Sequence, residues 1–105
     1  MNQNQTSTIG IIADDLTSAA DGSAPFAQRN LAAVVGLNAL VPQCGAVRAV
    51  DIESRGLPPH NAFAKAYDAA KALAEVGILY KTVDSTLRGN IAYEVKATLD
   101  ASRRK

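Results

Sequence analysis

TIGIIADDLTS, residues 8–18, decides how the chain folds. Thr8 to Ala13 is a short apolar run rich in isoleucine, and β-branched residues suit a strand. The run ends abruptly at Asp14-Asp15, and a helix should follow. Ser18 with Asp21 three residues on reads as a capping pair. Gly22 and Pro25 weaken that helix, because a proline inside it removes a hydrogen bond and crowds the preceding turn. A kinked or late-starting helix is expected.

The same unit recurs along the chain. LAAVVGL, Leu31 to Leu37, is a second apolar run. A loop holding Pro42 and Gly45 leads to a third, Ala46 to Val50, followed by Asp51-Ile52-Glu53-Ser54-Arg55. Pro58 and Pro59 break the chain, and Pro59 suits a helix's first turn. Asn61 to Val76 is the clearest helix, with Ala62, Ala66, Ala69, Ala70, Leu73 and Ala74 near one face and Gly77 as its stop. A last run, Ile78 to Val83, enters the stretch Lys81 to Asn90. Asn90 to Ala101 is helical again, with Ile91, Val95 and Leu99 spaced by four. Strands alternating with helices argue an α/β fold around a parallel sheet. In such sheets ligands sit outside the carboxyl ends of the strands. Asp14-Asp15, Asp51 with Arg55, and Lys81 with Asp84 each follow a strand, so the three clusters should share one rim.

Composition removes several functions. A net charge of +1 on 105 residues offers no electrostatic footprint for nucleic acid or anionic lipid. The basic end, Ser102-Arg103-Arg104-Lys105, reads as a solvated helix end. No stretch approaches the ~20 apolar residues of a membrane span. Residues 1–7 are polar, without the basic region of a secretory signal, and are expected to form a disordered tail on a cytoplasmic protein. Cys44 stands alone, so no internal disulfide can form. His60 has no His or Cys cluster around it, and no metal site is expected.

The rim residues could do chemistry. Asp14 or Asp15 could accept hydrogen bonds from substrate hydroxyls or act as a base; one could equally cap the next helix. Arg55 could hold a carboxylate in a bidentate fork, or pair with Glu53 or Asp51 at the surface. Lys81, Asp84, Ser85, Thr86 and Arg88 crowd two cations, an anion and two hydroxyls into one loop, more than helix capping requires. Gly89 would allow close approach or a positive φ. The sequence holds neither G-x-x-x-x-G-K-[ST] nor G-x-G-x-x-G, so it argues no nucleotide site of its own.

IIADDLTSAAD, DIESRGLPP and YKTVDSTLRGN, in this order, resemble the four-carbon acid sugar kinase family, whose members are also labelled Hrp-dependent type III effector-like. The resemblance runs from Ile9 to about Asp100, and DSTLRGN is its most specific part. It implies ATP-dependent phosphorylation of threonate, erythronate or 3-oxo-tetronate. An N-terminal domain would hold the sugar acid, and a separate C-terminal domain, absent from this chain, would hold ATP and Mg²⁺. Residues 8–105 are then the N-terminal part of the sugar-acid domain: an open, mostly parallel sheet in three layers with helices on both faces, incomplete as a domain. The resemblance places Asp14 and Asp15 against substrate and gives Arg55 the carboxylate. It sets Lys81, Thr82, Val83, Asp84, Ser85 and Arg88 along the same pocket. Asp15 and Asp84 are the candidate bases. Ser18 stands where glycine is usual, Ala20 and Gly22 flank Asp21, Pro25 interrupts a usual helix, and Thr82 replaces a frequent lysine. The family is several times longer, so this chain alone is expected to be inactive and marginally stable or oligomeric, with a C-terminal half or a second copy as partner.

A two-component receiver offers a second pattern: two acids after strand 1, an aspartate after strand 3, then Thr/Ser and Lys. Asp14-Asp15, Asp51 and Ser85 or Thr86 could fill those parts, but the receiver's lysine follows a fifth strand, and DSTLRGN stays unexplained. A non-catalytic remnant with an interaction role is the third possibility.

Overall fold

The computed structural model describes residues 8–38, 40–83 and 89–103. The expected tail, residues 1–7, lies outside them. Four strands and three helices alternate as β1 (Ile9–Ala13), α1 (Leu16–Ala27), β2 (Ala33–Gly36), β3 (Val47–Asp51), α2 (Pro59–Ala72), β4 (Ile78–Lys81) and α3 (Ile91–Ser102). The strands form one parallel sheet in the order β2-β3-β1-β4. The α/β reading holds. The receiver reading does not, because that domain's order sets its first strand between the second and third. Here β3 lies between β2 and β1.

Strand alternation sends successive side chains to opposite faces. Ile11, Ala13, Val47 and Ala49 face α1 and pack on Ala19. Ile12, Val50 and Ile52 face the other way, onto Ala66, Ala69, Ala70 and Leu73 of α2 and its flank and Ala97 of α3. The alanines let α2 lie close to the sheet. Burying Ile11, Ile12, Ile52 and Leu73 contributes about 1.5–3 kcal/mol each. The result is three layers, α1 on one face and α2 with α3 on the other.

Local details depart from the sequence pattern. Asp15, not the Ser18–Asp21 pair, caps α1: its Oδ1 accepts from Ser18 N at 2.8 Å. The helix therefore starts at Leu16, not late, and runs past Pro25 to Ala27. Pro59 does open α2, but the helix ends at Ala72, ahead of Gly77. Gly77 instead donates its N–H to Thr8 O at 3.0 Å, starting the β4 side of the sheet. Ala74 is exposed, and Val76 takes the buried place. The largest reversal is in α3. Val95 and Leu99 face solvent, while Glu94, Ala97 and Thr98 are buried.

β1 is the central strand of the arrangement that positions the site. The helix after β1, α1, packs on one face of the sheet, and α2 and α3, which follow β3 and β4, pack on the other. Where successive helices take opposite faces in this way, the carboxyl ends of the strands beside β1 are where an open α/β sheet forms its crevice. Among the described residues no strand pairs with the outer edge of β4. Ile78 and Tyr80 there are half exposed.

Candidate functional site

The crevice between β1 and β3 is built by stitching the two loops together. Beyond the strands, Ile52 N donates to Ala13 O (2.9 Å) and Ser54 N to Asp14 O (3.1 Å). Glu53 between them takes a left-handed φ of 50°, and its N–H donates to Asp51 Oδ1 at 2.8 Å. This local turn is the kind of non-glycine positive φ that needs outside support, and the two flanking bonds supply it. The turn carries Arg55 back over β1.

There the guanidinium meets both acids. Nε and Nη2 of Arg55 donate to Asp14 Oδ2 and Oδ1, each at 3.1 Å, a two-point fork. Nη1 lies 3.1 Å from Asp15 Oδ2. Arg55 thus pairs with neither Glu53 nor Asp51. Asp15 does both things proposed for it, capping α1 with one oxygen and meeting Arg55 with the other. Asp14 is buried, whereas the side chains of Arg55 and Asp15 are 25% and 34% exposed. Gly89 closes one wall with φ 90°. A β-carbon there would sit 3.3 Å from Asp14 Oδ2 and within 3.5 Å of the Arg55 side chain.

Asp51 sits beneath this group. Burial pushes its carboxyl above the ordinary range, the neighbouring charges of Glu53, Asp15 and Asp14 push the same way, and the Glu53 N–H opposes them.

The β4 side is different. Lys81 pairs on the sheet with Ile12 and so points toward α3, away from Arg55's acids. Its Nζ lies 2.9 Å from Glu94 Oε1 and donates to Thr82 O at 2.6 Å. Glu94 Oε2 accepts from Ser54 Oγ at 2.6 Å. Glu94 is 1% exposed, and Ser54 is fully buried. Thr82 takes the opposite face. Its N–H donates to Ile12 O, and its Oγ1 is buried without a partner among the described residues. It lines a recess of about 200 Å³ between α1 and β4, with Ile11, Gly22, Phe26 and Tyr80. Val83 is half exposed. Asp84, Ser85, Thr86 and Arg88 lie outside the described residues.

The structure therefore brings Asp14, Asp15 and Arg55 together and turns Lys81 aside. Sequence reasoning missed Glu94 and Ser54. A signal for Glu94 existed: Glu94, Ala97, Thr98 and Ala101 follow the spacing of one helical face, and three of them are small.

Residues 9–105 match the family described as "Sugar-binding N-terminal domain". The chain is 37% identical over 100 residues to a D-threonate kinase of Salmonella typhimurium, an alignment covering 90% of this chain and 24% of that protein. It is 40% identical over 93 residues to a D-threonate kinase of Cupriavidus necator, covering 83% and 22%. A D-erythronate kinase of Heliobacterium modesticaldum is 33% identical over 103 residues, covering 90% and 23%. The chain spans about a quarter of the length of these curated relatives.

Proposed function

This chain belongs to the sugar-binding N-terminal domain family, and from that premise we propose that it binds a four-carbon sugar acid of the threonate or erythronate type in the β1–β3 crevice. The observation that carries the reading is the Arg55 fork set against Asp14 and Asp15 at the carboxyl end of a parallel sheet. The chemistry suits such a ligand. A carboxylate has about four lone-pair sites, so Asp15 can accept from a sugar hydroxyl while it keeps Arg55. Arg55 reaches the open side of the crevice and receives the acid's carboxylate. The buried Thr82 hydroxyl and the half-exposed Val83 extend this reading toward β4, and the resemblance adds Asp84, Ser85 and Arg88 to the substrate-binding set.

In this reading the domain is the substrate-binding part of an ATP-dependent kinase. Asp15 and Asp84 are the two candidates to take the proton of the hydroxyl that accepts the phosphoryl group. The sequence has no phosphate-cradling glycine loop, and among the described residues no group of three or more His, Cys, Asp or Glu could hold a metal ion. In this reading another domain holds ATP and Mg²⁺, and no nucleotide step is assigned to this chain. Among the described residues no helix is long and apolar enough to cross a membrane, and the reading places the protein in the cytoplasm. The half-exposed Ile78 and Tyr80 on β4, whose outer edge pairs with no strand among the described residues, favour self-association; Tyr80→Lys should lower the sedimentation coefficient at high concentration.

Calorimetric titration of the 105-residue protein with D-threonate and D-erythronate tests the central point. Saturable binding, weakened at least tenfold in Arg55→Ala, is the expected result. Binding that Arg55→Ala leaves untouched would remove the crevice from the proposal.

A further inference from the structure

We infer that Glu94 is a positioning residue for the crevice, holding Arg55 in place through Ser54 and braced by Lys81. Its carboxylate is a junction of three elements. Oε1 meets Lys81 Nζ at the end of β4, Oε2 takes the hydroxyl of Ser54 beyond β3, and the residue itself sits in the first turn of α3. Ser54 is the hinge of this arrangement. Its N–H is bound to Asp14 O, its hydroxyl to Glu94, and the next residue in the chain is Arg55. One peptide thus fixes where the guanidinium emerges relative to Asp14.

Burial is what gives this junction its effect. A carboxylate 1% exposed is held only if its partners satisfy it. Among the described residues it has one cation and one hydroxyl, at 2.9 and 2.6 Å. Thr98, one turn on, donates its hydroxyl to the Glu94 backbone carbonyl at 2.8 Å and anchors the helical turn. Neither Glu94 nor Lys81 lies between Asp14 and Arg55, so neither is a ligand-contact group of the fork. Lys81 is engaged by Glu94 and Thr82 O and serves as the brace. The assignment deepens the sugar-acid reading of the same site and rests on it only for the ligand measured.

The experiment uses Glu94→Gln and Ser54→Ala, which cut the junction from its two sides with little change in volume. The first readout needs no ligand: the Arg55 Nε–Hε resonance in a ¹⁵N-correlated spectrum. In the parent protein Hε is held by Asp14 Oδ2. Both variants should shift or broaden that resonance, while a control at the exposed Lys96–Asp100 pair, Lys96→Gln, should leave it in place. The second readout is D-threonate affinity, expected to fall about fivefold to twentyfold in both variants. An unchanged Arg55 resonance in folded Glu94→Gln and Ser54→Ala protein would overturn the inference and leave Glu94 a core ion pair. If the resonance moves but the parent protein binds no D-threonate, the positioning role stands and the sugar-acid reading falls.

Discussion

Arg55 with Asp14 and Asp15, and Lys81 with Glu94, are built from the same parts at the same rim, and water separates them. Arg55 and Asp15 keep a quarter to a third of their side-chain surface. Lys81 and Glu94 keep 9% and 2%. An open cluster can exchange one of its own hydrogen bonds for one to a ligand at small cost. A sealed cluster cannot, because a group that loses its partner finds no water in its place. The difference divides the rim into a part that can receive a ligand and a part that frames it. The choice of cation follows the same division, a planar fork where geometry faces outward and a point charge where one buried oxygen must be met.

The largest effect should come from breaking the sealed cluster from one side. Glu94→Ala leaves the Lys81 ammonium buried without its carboxylate, which should cost about 3–5 kcal/mol. Arg55→Ala removes a quarter-exposed side chain and so lets water reach the Asp14 carboxylate beneath it, which should hold the cost to about 1–2 kcal/mol while removing ligand affinity. Urea unfolding of the two variants side by side measures the contrast. Equal losses of stability would erase the distinction between the clusters. Lys81→Met combined with Glu94→Met should recover much of the loss, since an apolar pair of similar volume carries no desolvation penalty.

A second variant tests the wall of the open cluster. Gly89 has φ 90°, and its added β-carbon would meet Asp14 Oδ2 at 3.3 Å. Gly89→Ala should cost roughly 1–3 kcal/mol and also weaken ligand binding, since the strain falls on the oxygen that holds Arg55 Nε. A stability loss with intact affinity would place the strain elsewhere.

The open cluster was legible in the sequence and the sealed one was not. Acids or an Arg just after an isoleucine- or valine-rich run declare a strand's carboxyl end, and parallel pairing does the rest. Glu94 hides because a carboxylate on a helix normally faces water. The larger residues Ile91, Val95 and Leu99 drew the buried face to the wrong side of α3. The inner face of that helix is set by small residues, Ala97 and Thr98, which let it pack against α2. For α1 the sequence offers two caps, the Ser18–Asp21 pair and an acid of Asp14-Asp15, and Asp15 is both rim acid and cap. Strand order was beyond reach, since nothing local in residues 37–46 tells β3 to enter between β2 and β1.

The smallest predicted effect concerns Asp51, which lies opposite Ala13 at the end of β3 and, among the described residues, pairs with no cation. Burial raises its carboxyl above the ordinary value, so the folded state holds this proton more tightly than the unfolded one. The sign follows directly. Above its raised folded value Asp51 is charged in both states, and its burial costs stability. As pH falls from there toward the ordinary Asp value near ~3.9, the folded state takes up the proton first and the cost disappears. Asp51→Asn keeps an acceptor for the Glu53 N–H and carries no charge. It should therefore raise the melting temperature by a few degrees at neutral pH, with the gap closing below about pH 4. Melting curves of both proteins across that range decide it. A gap that does not change with pH would mean that asparagine acts through packing, and that Asp51 is as well solvated in the folded protein as in the unfolded chain.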